Sequence, residues 1–139
     1  MSIIELDLVH EDGSGWIYWN PEARCVELVA KPYLTSVQYR SDMERALALL
    51  QKEGSQKLLG DASRLIQQFS IEDMTWTQIV WFPRCLRAGM KFFSMATPKA
   101  LAAHMAVDQF VQKFNPGVSG FKIGTFDSAV GAREWLRFK

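Results

Sequence analysis

The residues of this chain best placed to do chemistry stand at three junctions where a strand-like run gives way to a helix-like one. These are Asp61-Ala62-Ser63-Arg64, Ala96-Thr97-Pro98 and Phe126-Asp127-Ser128. In an open α/β sheet the loops beyond the carboxyl ends of parallel strands gather at one rim, and ligands sit there. Such a rim would hold the carboxylates of Asp61 and Asp127, the hydroxyls of Ser63, Thr97 and Ser128, and the Arg64 guanidinium. Asp61, Ser63, Arg64, Thr97 and Asp127 are therefore the candidate ligand-binding residues. In a closed cleft that displaced the pKa of one acid, Asp61 and Asp127 would also serve general acid–base chemistry. The plainer alternative is structural, because Asp and Ser anchor turns and cap helices at any such junction.

The other reactive side chains make no recognisable catalytic or metal-binding pattern. No HExxH, P-loop or GxGxxG sequence occurs, and Gly117-Val118-Ser119-Gly120 departs from the GxSxG nucleophile elbow and reads as a turn. His10 and His104 are the only histidines. Cys25 and Cys85 lack CxxC spacing and read as buried free thiols rather than a disulfide or zinc ligands. No catalytic residue, metal ligand or cofactor is assigned.

The elements that would position the rim follow from hydrophobic periodicity. Ile3 to Leu8 alternates apolar and acidic residues, Glu11 to Gly15 is a turn cluster, and Trp16 to Trp19 and Cys25 to Ala30 complete an antiparallel meander. From Thr35 or Ser36 the period becomes helical, with Tyr39, Met43, Ala46, Leu47 and Leu50 on one stripe and Gly54 as the stop. Lys57 to Gly60, leading to Asp61, suits a buried strand. Ser70 with Asp73 opens a helix that runs towards Ala88 and breaks near Pro83. Lys91 to Ala96 is a strand, and Thr97-Pro98 starts a helix whose core face is Leu101, Met105, Val107, Phe110 and Phe114, ended by Asn115-Pro116-Gly117. Phe121 to Phe126 is the last strand, and Asp127 or Ser128 caps a final helix carrying Ala132, Trp135 and Leu136. Alternating strands and helices require crossovers, hence parallel pairing. The expected fold is α/β: one domain over residues 1–139, a mixed sheet with an antiparallel N-terminal meander and parallel later strands, and about four helices packed on it.

One helix has more apolar surface than a single stripe uses. In Trp76-Thr77-Gln78-Ile79-Val80-Trp81-Phe82-Pro83, Ile79 and Phe82 form the stripe, with Thr75 and Leu86 in register. Trp76, Val80 and Trp81 then point elsewhere, as an interface, a pocket wall or part of a wide core. They are the candidate contacts of a homodimer.

Composition bounds the rest. At 139 residues with 48% hydrophobic and 22% charged, the chain is an ordinary globular mixture. Sixteen basic against fifteen acidic residues leave a formal charge of +1, so no nucleic-acid partner is expected. Met1 to Asp7 has neither a basic start nor a long apolar run, and no stretch approaches the ~20 apolar residues of a membrane span. A cytoplasmic protein without membrane insertion is expected.

The runs Gly60-Asp61-Ala62-Ser63-Arg64, Ser70-Ile71-Glu72-Asp73 with Trp76, Trp81-Phe82-Pro83-Arg84 and Ala88-Gly89-Met90-Lys91 resemble a family of small bacterial proteins with a STAS-like domain. Phe126-Asp127-Ser128-Ala129 followed by Glu134-Trp135-Leu136 is similar to that family's final strand and helix, so the resemblance covers the chain from about Tyr33 onward. The fold is like that of anti-sigma-factor antagonists and is grouped with CRAL-TRIO-type lipid-binding proteins. The resemblance implies a STAS-like, non-enzymatic regulatory or ligand-binding module. In the antagonist branch a serine after the central strand is phosphorylated, and the nearest position here is Ser63. That motif has serine directly after the aspartate and glycine soon after, where this chain has Ala62 and Arg64. A phosphate on Ser63 would sit beside Asp61 with Arg64 as its partner. The functional expectation is a homodimeric regulatory or protein-interaction module. The alternatives are a carrier of a small apolar, lipid-like ligand and an enzyme using the rim acids.

Overall fold

Alternation of side chains builds the meander with which the sheet begins. The computed structural model describes residues 7–11, 15–67, 69–113 and 121–139. Strands β1 (Asp7–Glu11), β2 (Gly15–Asn20) and β3 (Cys25–Ala30) pair antiparallel. Ile17 pairs with Leu28 and Trp19 with Val26 on one face, while Tyr18 pairs with Glu27 and Trp16 with Val29 on the other. The strand expected over residues 3–8 lies mostly outside the described residues, and the described strand extends to Glu11. The β2–β3 turn is closed by the Asn20 side chain, which accepts a hydrogen bond from Ala23 N, and by Arg24 in the left-handed region at φ 53°.

Strands β4 (Lys57–Asp61), β5 (Phe92–Ala96) and β6 (Lys122–Phe126) add in parallel to β3, and the spatial order is the chain order, β1 to β6. The fold is α/β with a mixed sheet, as expected. Helix α1 (Ser36–Glu53) connects β3 to β4. Its N-terminus is a reciprocal capping box between Thr35 and Gln38, and Gly54 ends it at φ 61°. The stripe of Tyr39, Met43, Ala46, Leu47 and Leu50 is buried. It packs against Val26, Leu58 and Phe93 in the larger of the two apolar clusters that the described residues form.

The connection from β4 to β5 is one continuous helical segment in three parts: α2 (Ile71–Trp76), a π-helical turn (Thr77–Trp81) and α3 (Phe82–Arg87). Ser70 caps it, accepting from Asp73 N at 3.1 Å. The break expected at Pro83 is this π turn, in which Phe82 N–H reaches back to Thr77 O. Helix α4 (Leu101–Lys113) joins β5 to β6. It starts three residues beyond Pro98, and its buried side is Ala103, Val107 and Phe110, while Leu101 and Met105 are exposed. Val107 and Phe110 are thus in the core as expected, while Leu101 and Met105 are not and Ala103 takes the buried place. Phe114 and the Asn115-Pro116-Gly117 stop lie outside the described residues.

Helix α5 (Ala129–Arg137), capped by Ser128, lies on the opposite face of the sheet. There Ala132 and Leu136 pack on Cys25 and Leu59, with Trp135 against Phe92 and Phe126. Among the described residues, no helix is long and apolar enough to cross a membrane.

Candidate functional site

The parallel strands bring the three junctions to one edge. Asp61 pairs with Ala96 and Ala96 with Phe126 in register, so Asp61, Thr97 and Asp127 follow at the same level. The loops are tied directly: Ala62 N donates to Ala96 O, Thr97 N to Phe126 O, and Lys99 N to Ser63 O. The chain goes to α4 on one face after β5 and to α5 on the other after β6. The topological switch therefore lies between those strands, where an open sheet forms a crevice. Here the protein's own groups close it. The Thr97 hydroxyl donates to Phe126 O at 3.2 Å, and the Lys99 ammonium donates to Asp127 O.

The rim side chains are engaged separately. Ser63 donates from both N and Oγ to Asp61 Oδ1, at 3.0 and 2.6 Å, which makes Asp61 the anchor of its own turn. Arg64 is exposed and lies with its guanidinium carbon 5.6 Å from the centre of the Trp16 ring, which Lys31 also covers at 4.6 Å. Asp127 is exposed, two strands or about 10 Å from the level of Asp61. The edge is shared, but its two acids are engaged separately: Asp61 also lines an apolar cavity between the sheet and the helices, whose lining does not include Asp127.

The aromatic helix departs from its expected orientation. Trp81 is fully buried, with its indole N–H donated to Met43 O at 2.8 Å, and its ring stands edge-on to Phe82 and Phe93. Ile79, expected in the core stripe, is 68% exposed, and Val80 is 39% exposed. The π turn is the cause: one residue more per turn rotates the phase, so Trp81 swings in and Ile79 swings out. Trp81 is therefore a core residue and not an outward-facing contact. Trp76 is half-buried against Tyr39, beneath the Arg40 guanidinium.

That inward rotation forms the wall of an apolar cavity of about 80 Å³ between the sheet and the helices. Its floor includes Leu58, Gly60, Phe93 and Met95, and its roof Tyr39, Met43, Met74, Thr77, Trp81 and Phe82. Gly60 contributes space, since a Cβ there would stand 3.5 Å from Phe93 Cζ, an ordinary contact. Towards the surface, Phe69, Met74 and Phe110 separate the cavity from a groove of about 260 Å³ between α2 and α4, edged by Ile71, Thr75, Gln78 and Gln109. Phe69 rests on Tyr39 with ring centres 4.4 Å apart. Two residues singled out from sequence line this cavity: Asp61, the rim acid, and Trp81, read there as an interface, pocket-wall or core residue, while the other wall residues were not singled out. The available signals were a glycine inside an apolar strand and methionines among the aromatics.

Burial makes the thiols poor nucleophiles. It pushes Cys85 up to about 12, and burial together with the Glu27 carboxylate raises Cys25 further. Beneath α5, the buried Glu27 accepts a bidentate pair from Arg133, at 2.9 and 2.7 Å, and a third bond from Asn20 Nδ2. His104 Nδ1 lies 3.2 Å from Pro98 O, at the start of α4. The side chain of His10 lies outside the described residues. In comparisons with known proteins, the chain matches no family model and no curated sequence.

Proposed function

We propose that this domain binds a small apolar ligand in the cavity between its sheet and the α1–α4 layer, as a binding module rather than an enzyme. The observation that carries the reading is the cavity itself. Protein interiors are close-packed, and voids larger than a water molecule are few. An unfilled space of this size costs about 2 kcal/mol in lost packing. Engineered cavities of about 150 Å³ take up benzene. A smaller one whose wall holds the adaptable side chains of Met43, Met74 and Met95 has room for a short alkyl group. The resemblance to STAS-like and lipid-binding domains points the same way. The separate engagement of Asp61 and Asp127 favours binding over acid–base catalysis.

The test is NMR of the methionine methyl groups during titration with 1-chlorohexane. Saturable shifts at Met43, Met74 and Met95 are expected. Gly60→Val, which fills the floor, should abolish them while leaving the protein folded. Unchanged methionine signals up to the solubility limit would rule the reading out.

A second reading, self-association as a regulatory or interaction module, is favoured by the exposure of Ile71, at 82%, and of Ile79 and Val80 along the same helical segment. Sedimentation at tens of micromolar should then show a dimer that Ile79→Lys converts to monomer. A wild-type monomer would dismiss it.

A further inference from the structure

The direction of the hydrogen bonds in the cavity wall selects the polarity of what can enter. The geometry points to a neutral ligand whose inner end is a hydrogen-bond donor, a hydroxyl or amide N–H, and against a carboxylate. This rests on the proposed binding role of the cavity and specifies its ligand class. Thr77 has one hydroxyl proton, and it is donated to Asp73 O at 2.7 Å. The 2.6 Å contact between the Tyr39 and Thr77 hydroxyls therefore has Tyr39 as donor. The Trp81 indole N–H, the other donor in this part of the wall, is used on Met43 O. All three side-chain donors are spent on partners within the wall, which leaves the Tyr39 oxygen with lone pairs to offer and no proton. Burial raises the Tyr39 phenol well above its usual range, so its proton, and with it the direction of the chain, persists at ordinary pH.

A carboxylate entering this space would find none of these donors and would lose its water, a large penalty for an unpaired charge. A hydroxyl would find the Tyr39 lone pair. The outer groove is edged by Gln78 and Gln109, neutral amides, and among the described residues its edge supplies no cation to draw an acid inward.

The experiment compares 1-hexanol, hexanoate and 1-chlorohexane at pH 7 by titration of the methionine methyl signals. 1-Hexanol is expected to bind at least about tenfold more tightly than hexanoate. Tyr39→Phe, which keeps the ring and removes the oxygen, should weaken 1-hexanol about tenfold and leave 1-chlorohexane unchanged. Thr77→Val, similar in volume, frees the Tyr39 proton to point into the cavity and should narrow the gap between hexanoate and 1-hexanol. Hexanoate binding as tightly as 1-hexanol in the wild type would overturn the polarity while leaving the cavity reading intact. So would a Thr77→Val protein with an unchanged ratio. Binding by none of the three would overturn the cavity reading, and this inference with it.

Discussion

Asp73 shows what one side chain does at several levels. It is buried, and its carboxylate accepts from Ser36 Oγ at 2.6 Å and from Arg40 Nε at 2.9 Å, tying the start of α2 to α1. Burial alone would raise its pKa. The hydrogen bonds from Ser36, Arg40 and the Ser70 cap outweigh burial and hold it below the usual aspartate range. The folded state thus keeps the proton off more strongly than the unfolded chain does. Its contribution to stability is present above the unfolded value of about 4 and is lost as pH falls through the lower folded value. Thermal unfolding of the wild type should therefore drop steeply below about pH 4. Asp73→Asn should be less stable by about 2 kcal/mol at pH 7 and show a shallower acid slope. Because Arg40 is partly exposed, salt should trim the ion-pair share of this difference. An identical acid slope in both proteins would remove Asp73 from the account.

Among the elements, the helical segment between β4 and β5 carries the most consequence. Asp73, Thr77, Trp81 and Cys85 are all buried at a spacing of four. A regular α-helix advances about 40° too far at each such step, and the wider π turn resets the phase. It also relieves Pro83. Inside an α-helix the proline ring presses on the carbonyl four residues back and its missing N–H breaks the ladder, whereas in the first turn of α3 neither matters. Deleting Ile79, an exposed residue of the turn, should return the segment to α-helix and put Pro83 in its interior, a loss of about 3 kcal/mol. Adding Pro83→Ala should recover most of it, as read from urea unfolding midpoints. A single deletion no worse than the double variant would show that the proline is not what the turn accommodates. The same phase shift places Trp81 over the cavity, so the local irregularity and the candidate site have one origin.

Across the whole molecule, α5 is fastened to the meander by the Glu27–Arg133 pair, which joins residues from opposite ends of the chain. Buried ion pairs break badly: Arg133→Ala should destabilise by about 3 kcal/mol because Glu27 keeps a buried charge without its bidentate partner, while Glu27→Leu with Arg133→Met should recover part of that loss, the remainder being the Asn20 amide left without its acceptor. Equal losses in the single and double variants would refute that account. Patterns with local causes were legible in the chain itself. Thr35 and Gly54 bound α1, Ser70 opens α2, Ser128 caps α5, and the parallel sheet follows from the alternation of strand and helix, because caps and periodicity act within a few residues. The common edge of Asp61, Thr97 and Asp127 was legible for the same reason. What only the tertiary structure decided depends on phase and on distant partners. The π turn buries Trp81 and exposes Ile79, and α4 buries Ala103 in place of Met105. The thirty-eight-residue reach of Tyr39 to Thr77 orients the hydroxyls of the cavity wall. A shift of one residue rotates a helix face by about 100° without altering its composition, and a hydrogen bond acquires its direction only when its partners are brought together in space.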